Sequence, residues 1–62
     1  MQVKVKTLKI IDVNEVTVLD IADKGILLET EEGFVGVSYD IHGDRRNILM
    51  PSTSISKVIF YQ

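Results

Sequence analysis

The chain of 62 residues contains no cysteine and no tryptophan, and only one proline and one histidine. Without cysteine it has no disulfide framework, no thiolate zinc site and no cysteine nucleophile, the usual supports of so short a chain. A single histidine leaves little for acid–base or metal chemistry to work with. No apolar run approaches the ~20 residues needed to cross a bilayer; Ile26-Leu27-Leu28 and Ile48-Leu49-Met50 are typical of what is present. Met1 to Lys9 alternates lysine with apolar residues and shows no leader pattern, which predicts a soluble, cytoplasmic protein with no membrane partner. Basic charge is also scarce. Seven Lys and Arg stand against nine Asp and Glu, a net of −2, so a chain-wide basic coat for duplex nucleic acid is excluded and any nucleic-acid site must be local.

What is present is globular: 45% hydrophobic and 26% charged residues, with four glycines. The length allows one domain, residues 1–62. A domain this small buries only about 60% of its unfolded surface, so oligomerisation is the expected compensation. Apolar residues never recur at helical spacing over a full window, and 20 of the 62 residues are Val, Ile or Thr, which favours strands.

Val3, Val5 and Thr7 share one parity and Lys4 and Lys6 the other, the pattern of a strand with one wet face. The strand runs from Gln2 to Ile11, and its parity shifts at Leu8 and Ile10, which predicts a bulge or a bend. Asp12 to Glu15 reads as a turn, and Val16 to Leu19 as a second strand or the far half of the first. Ala22-Asp23-Lys24-Gly25 is a turn with Gly25 at positive φ, followed by a strand from Ile26 to Thr30. Glu31-Glu32-Gly33 is a tight hairpin of type I closed by a glycine bulge, and Phe34 to Ile41 is its return strand. Val35, Val37, Tyr39 and Ile41 face the core in that strand. Gly36, on the opposite parity, is expected to mark a bend that lets one strand serve both halves of the fold. His42 to Asn47 is the most polar stretch and reads as an exposed hairpin loop. Ile48 to Met50 is a short strand stopped by Pro51, Ser52 to Ser54 a turn of 3₁₀ type, and Lys57 to Tyr61 the last strand. Short strands joined by connections of three to six residues predict an all-β fold, a small five-stranded, strongly bent barrel of Sm-like or SH3-like type.

The segment from Asn47 to Phe60, a strand, a very short turn and a strand, resembles the closing segment of the Sm-like (Hfq/LSm) family. Gly25 to Val35 resembles that family's first motif, with Gly25, Leu27 and Glu31 at matching places. The resemblance covers under half of the chain. It implies ring-building strands and single-stranded RNA as a partner. The base-binding residues differ. Phe34, Val35 and Gly36 stand where the family has an Asn, Pro51-Ser52 replaces its Arg-Gly, and Met50-Pro51-Ser52 replaces the Tyr-Lys-His of the bacterial branch.

No enzyme motif is present, so no catalytic residue is assigned and no cofactor is expected. His42 near Asp40 or Asp44 reads more simply as a solvated loop histidine than as an acid–base pair, and Asp40, His42 and Asp44 lack a fourth metal ligand. Arg45-Arg46 is the sole guanidinium cluster. With His42 and Asn47 beside it, it is the candidate phosphate or base contact, and Ser52 and Thr53 are candidates in the next turn. The plainer reading of that tip is a solubilising loop. Lys4, Lys6 and Lys9 form a second basic stretch, whose simpler role is to block unwanted edge pairing. Val58, Ile59, Phe60 and Tyr61 run in succession, so both faces of the last strand want cover; with Ile48 and Met50 they are the candidate oligomer interface. The expectation is therefore a non-enzymatic protein forming a cyclic homo-oligomer that binds single-stranded RNA. The alternatives are an SH3-like protein-interaction or structural module without nucleic-acid binding, and a small-ligand or nucleotide sponge at subunit interfaces.

Overall fold

A computed structural model describes residues 1–20 and 24–62, and the predicted turn residues Ala22 and Asp23 lie outside it. The described residues form seven strands: β1 Gln2–Val5, β2 Thr7–Asp12, β3 Val16–Leu19, β4 Ile26–Glu31, β5 Phe34–Ile41, β6 Asp44–Pro51 and β7 Ile55–Tyr61. A single 3₁₀ turn, Ser52–Ser54, separates β6 from β7. The strands make two antiparallel sheets, one ordered β1-β4-β5-β6 and the other β3-β2-β7.

The all-β expectation holds, but five strands become seven in two sheets among the described residues. One reason is the first strand. Val5 faces the core, as do Leu8 and Ile10, so the inward parity changes across Lys6, where the strand breaks. β1 then pairs with β4, whereas β2 pairs with β3 and β7. The predicted bend is real, and its effect is to place the two halves of one segment in different sheets.

A second difference lies at the polar stretch His42 to Asn47. Only His42 and Gly43 form the turn, with φ of 52° and 82°, the left-handed pair that a two-residue hairpin with matching twist requires. Asp44, Arg45, Arg46 and Asn47 are ladder residues opposite Ile41, Asp40, Tyr39 and Ser38. Polarity marks these residues as exposed, but strands on a wet sheet face are polar too. At the end of the chain, β7 begins at Ile55 rather than Lys57. The Glu31 hairpin is tighter than the expected bulge, since Glu31 stands directly opposite Phe34.

Between the sheets lie Val5, Leu8, Ile10, Ile26, Leu28, Val35 and Val37, all buried, with Val3, Leu19, Tyr39, Ile48, Met50, Ile55 and Val58 packed around them. Every core residue is aliphatic, and at about 25 cal/mol per Å² their burial is the main force joining the sheets. One polar staple closes the far end. The Asp12 carboxylate accepts hydrogen bonds from the Asn14 N–H and from Ser54 Oγ, each at 2.8 Å, while Val13 N–H donates to the Ser54 carbonyl at 3.0 Å. The predicted Asp12–Glu15 turn is thereby tied to the 3₁₀ turn. These bonds, the backbone one foremost, hold the Asp12 pKa below its ordinary value of 3.8.

Candidate ligand-binding face

The outer face of the four-stranded sheet follows from alternation. Gln2 and Lys4 of β1, Leu27 and Glu29 of β4, Gly36, Ser38 and Asp40 of β5, and Arg45, Asn47 and Leu49 of β6 share the parity opposite to the core. The ladder sets them in cross-strand rows. One row reads Lys4, Leu27, Ser38, Asn47, and the next Gln2, Glu29, Gly36, Leu49. Both central β5 residues are small, so the middle of the sheet is a trough with taller side chains on each side. Two contiguous concavities of about 320 and 230 Å³ share Leu27 and Ser38 and follow this trough along β5.

Its polar groups are already partly paired. Gln2 Nε2 donates to Glu29 Oε2 at 2.8 Å, and Ser38 Oγ donates to Asn47 Oδ1 at 2.9 Å. Arg45 reaches Asp40 Oδ1 through one guanidinium nitrogen at 3.3 Å, which leaves the rest of its fork open. Such an exposed pair contributes about 0–1 kcal/mol and costs little to rearrange.

Gly36 makes no close approach to the second sheet. Its φ is not positive, and a Cβ built on it would meet Leu49 Cδ1 at 3.8 Å and Glu29 Cβ and Phe34 Cε2 at 3.9 Å, all ordinary contacts on the outer face. It faces away from the second sheet and keeps the trough floor low.

The residues predicted to contact RNA are not gathered in one place. His42 is exposed in its turn, and Arg45 and Asn47 point to the outer face. Arg46 has the opposite parity, that of Ile48 and Met50. Ser52 and Thr53 lie beyond the other end of β6, roughly 25 Å from His42 at ~3.3 Å per strand residue, and Ser52 N–H is anchored to the Gly33 carbonyl at 3.1 Å. Of the residues predicted at an oligomer interface, Ile48, Met50 and Val58 pack against the core of their own chain, whereas Ile59, Phe60 and Tyr61 are exposed. Among the described residues, no three His, Asp or Glu side chains come together as a metal site.

Sequence reasoning missed Lys24 and the grouping of Lys4 with Arg45. These three line the concavity at the β5–β6 end of the trough together with Gly25. The outward parity of Lys4 was readable, but its nearness to Arg45 depends on β1 pairing with β4. Compared with protein-family models, curated proteins and solved structures, the chain has no significant match.

Proposed function

We propose that this chain is a non-enzymatic, cytoplasmic interaction module, a small barrel of SH3-like or Sm-like type that assembles head to tail into a cyclic homo-oligomer. Taking the bent segment Gln2–Asp12 as one strand and the short β3 as an appendage leaves five main strands, the number such a barrel uses. The carrying observation is Phe60. Its register opposite Leu8 gives it core-facing parity, yet it is 41% exposed, because β7 is an edge strand with nothing beyond it. β6 is likewise an edge strand and carries Ile48 and Met50 on its inward parity. Pairing β6 of one protomer with β7 of the next would cover Phe60 and continue the ladder, and a heterologous contact of that kind generates a ring when its rotation closes.

The test is native mass at micromolar concentration, by light scattering. A multiple of 7.0 kDa supports the reading, and a 7.0 kDa monomer overturns it.

A second reading, single-stranded RNA binding by the ring, is favoured by the exposed His42-Gly43 turn with Arg45 and Arg46 just beyond Asp44. A ring would repeat this tip in every protomer. Changing Arg45 and Arg46 together to Ala should then abolish binding of a short oligouridine and flatten its salt dependence. No binding by the native protein at low salt would exclude this reading.

A further inference from the structure

The basic residues of this acidic chain are unevenly placed. Lys4, Lys24 and Arg45 line one concavity of about 230 Å³, and Lys4, Lys6 and Lys24 line an adjoining one of about 390 Å³, both bordered by Gly25. Four of the seven cations therefore meet at one corner, on a chain whose net charge is −2. Among the described residues the only side-chain carboxylate lining either concavity is Asp40, bound to one nitrogen of Arg45. Gly25 makes the corner possible. It holds φ at +86°, and a Cβ there would come within 3.2 Å of Lys4 Cε and 3.4 Å of the Val5 carbonyl oxygen. A side chain there would strain the backbone at that φ and make Lys4 give by a few tenths of an ångström. The same concavity runs through Leu27 and Ser38 into the trough over Gly36, which has an apolar wall in Leu49 and amide and carboxylate groups at Asn47, Gln2 and Glu29.

We propose that the Gly25 corner binds the phosphate of a nucleotide, with the nucleoside lying along the trough toward Gly36. Two or three mobile ammonium groups and the open nitrogens of Arg45 supply point charges and directed donors to phosphate oxygens. The low floor over Gly36 accepts a flat ring, and the polar groups beside it offer both donors and acceptors to a base. The site lies within one protomer, so it does not depend on assembly. Its phosphate comes either from a free nucleotide or from the backbone of single-stranded RNA.

The experiment titrates three probes into the full chain at low salt: inorganic pyrophosphate, adenosine diphosphate and a labelled ten-nucleotide oligouridine. Native protein should bind adenosine diphosphate more tightly than pyrophosphate, and higher salt should weaken both. Tighter oligouridine binding, with a log–log salt slope of about −0.7 per phosphate contact, identifies RNA as the source; its absence with adenosine diphosphate bound identifies the free nucleotide. Lys4→Ala with Lys24→Ala, both exposed positions, should weaken every probe at least tenfold, and Lys57→Ala, an exposed lysine on the other sheet, should weaken none. Asp40→Asn removes the one side-chain carboxylate that lines the corner among the described residues and should tighten binding. Gly36→Leu fills the trough and should weaken adenosine diphosphate while sparing pyrophosphate. The proposal is overturned if native protein binds none of the three probes, if the double lysine variant binds as well as native while melting at the same temperature, or if Asp40→Asn weakens binding. Unchanged adenosine diphosphate binding by Gly36→Leu would overturn the placement of the nucleoside.

Discussion

The two sheets turn opposite surfaces to the solvent. The four-stranded sheet shows a polar trough with cations at one end, its side chains joined in hydrogen bonds along the cross-strand rows. The three-stranded sheet shows Val16, Val18, Ile59 and Tyr61, of which the first two are more than half exposed and Tyr61 is 71% exposed. Lys9 and Lys57 are its cations, and no hydrogen bond or ion pair between side chains on that face is found among the described residues. An apolar face of this kind on a small domain is a contact surface waiting for cover, whereas a polar trough is stable in water and selects a ligand by its chemistry. The division of labour is physical. On the proposed reading, assembly belongs to the β7 side and ligand recognition to the β5 side, with the aliphatic core between them.

The comparison supposes that both sheets rest on one core, and the largest effect should come from breaking it. Ile10 is fully buried in β2, facing Ile26 and its neighbours from the other sheet. Ile10→Ala should cost about 2–5 kcal/mol, enough to unfold much of a domain this small at room temperature. Urea unfolding followed by far-ultraviolet circular dichroism and by tyrosine fluorescence should give one shared midpoint, lowered in the variant. Two separate midpoints would mean that the sheets unfold independently.

The next effect separates the outer faces. Ile59→Lys, on the apolar face at the β7 edge, should lower the native mass to that of a monomer. Leu49→Lys, at a residue 72% exposed beside the trough, should leave the mass unchanged. Sedimentation of both variants at equal concentration tests the assignment; dissociation by Leu49→Lys instead would move the interface to the four-stranded sheet.

How much of this could be read from the residues depends on which physical rule each part obeys. Alternation is local. It placed Val35 and Val37 in the core and put Gly36, Ser38 and Asp40 together on the other face of β5, and the parity change between Val5 and Leu8 exposed the bend. Pairing is not local. Nothing in Lys4, Lys24 or Arg45 alone tells that β1 returns beside β4 and brings the three to one corner. Polarity was the misleading signal. Asp44 to Asn47 read as a loop because they are polar, and that reading set Arg45 and Arg46 side by side at one tip. As ladder residues they face opposite sides. Gly36 misled for a related reason: a mid-strand glycine signals close approach, and here a Cβ would meet only ordinary contacts within its own sheet.

A smaller effect concerns the staple at Asp12, which belongs to the apolar sheet but works by charge. Its carboxyl pKa is held below 3.8 in the folded chain by the Asn14 N–H and the Ser54 hydroxyl. A depressed pKa means that the unfolded chain binds the proton more readily, so the contribution is complete above the ordinary value and is lost as pH falls through the folded one. Asp12→Asn should therefore lower the melting temperature at pH 7, and the gap to native should narrow as the pH is taken below 3.8. A gap that stays constant with pH would show that shape, not charge, makes the staple.

The smallest effect is at Gly36, and its sign decides what that residue is for. If Gly36 were a bend or a close approach between the sheets, any added side chain would destabilise the fold. The trough reading demands the opposite. Its φ is one that any residue adopts, and the nearest atoms to an added Cβ stand at 3.8–3.9 Å, so Gly36→Ala fits without displacement. Alanine also relieves the unfolded-state entropy cost of glycine within a strand, about 0.5–1 kcal/mol, and a kcal/mol raises the melting temperature of so small a domain by about 4–8 °C. Gly36→Ala should thus melt a few degrees above native while making the trough shallower over the nucleoside position. Glycine at that position would then be kept for the open floor it leaves on the four-stranded sheet. A fall in melting temperature would return Gly36 to a structural role and remove the main feature that sets the trough apart from the apolar face opposite.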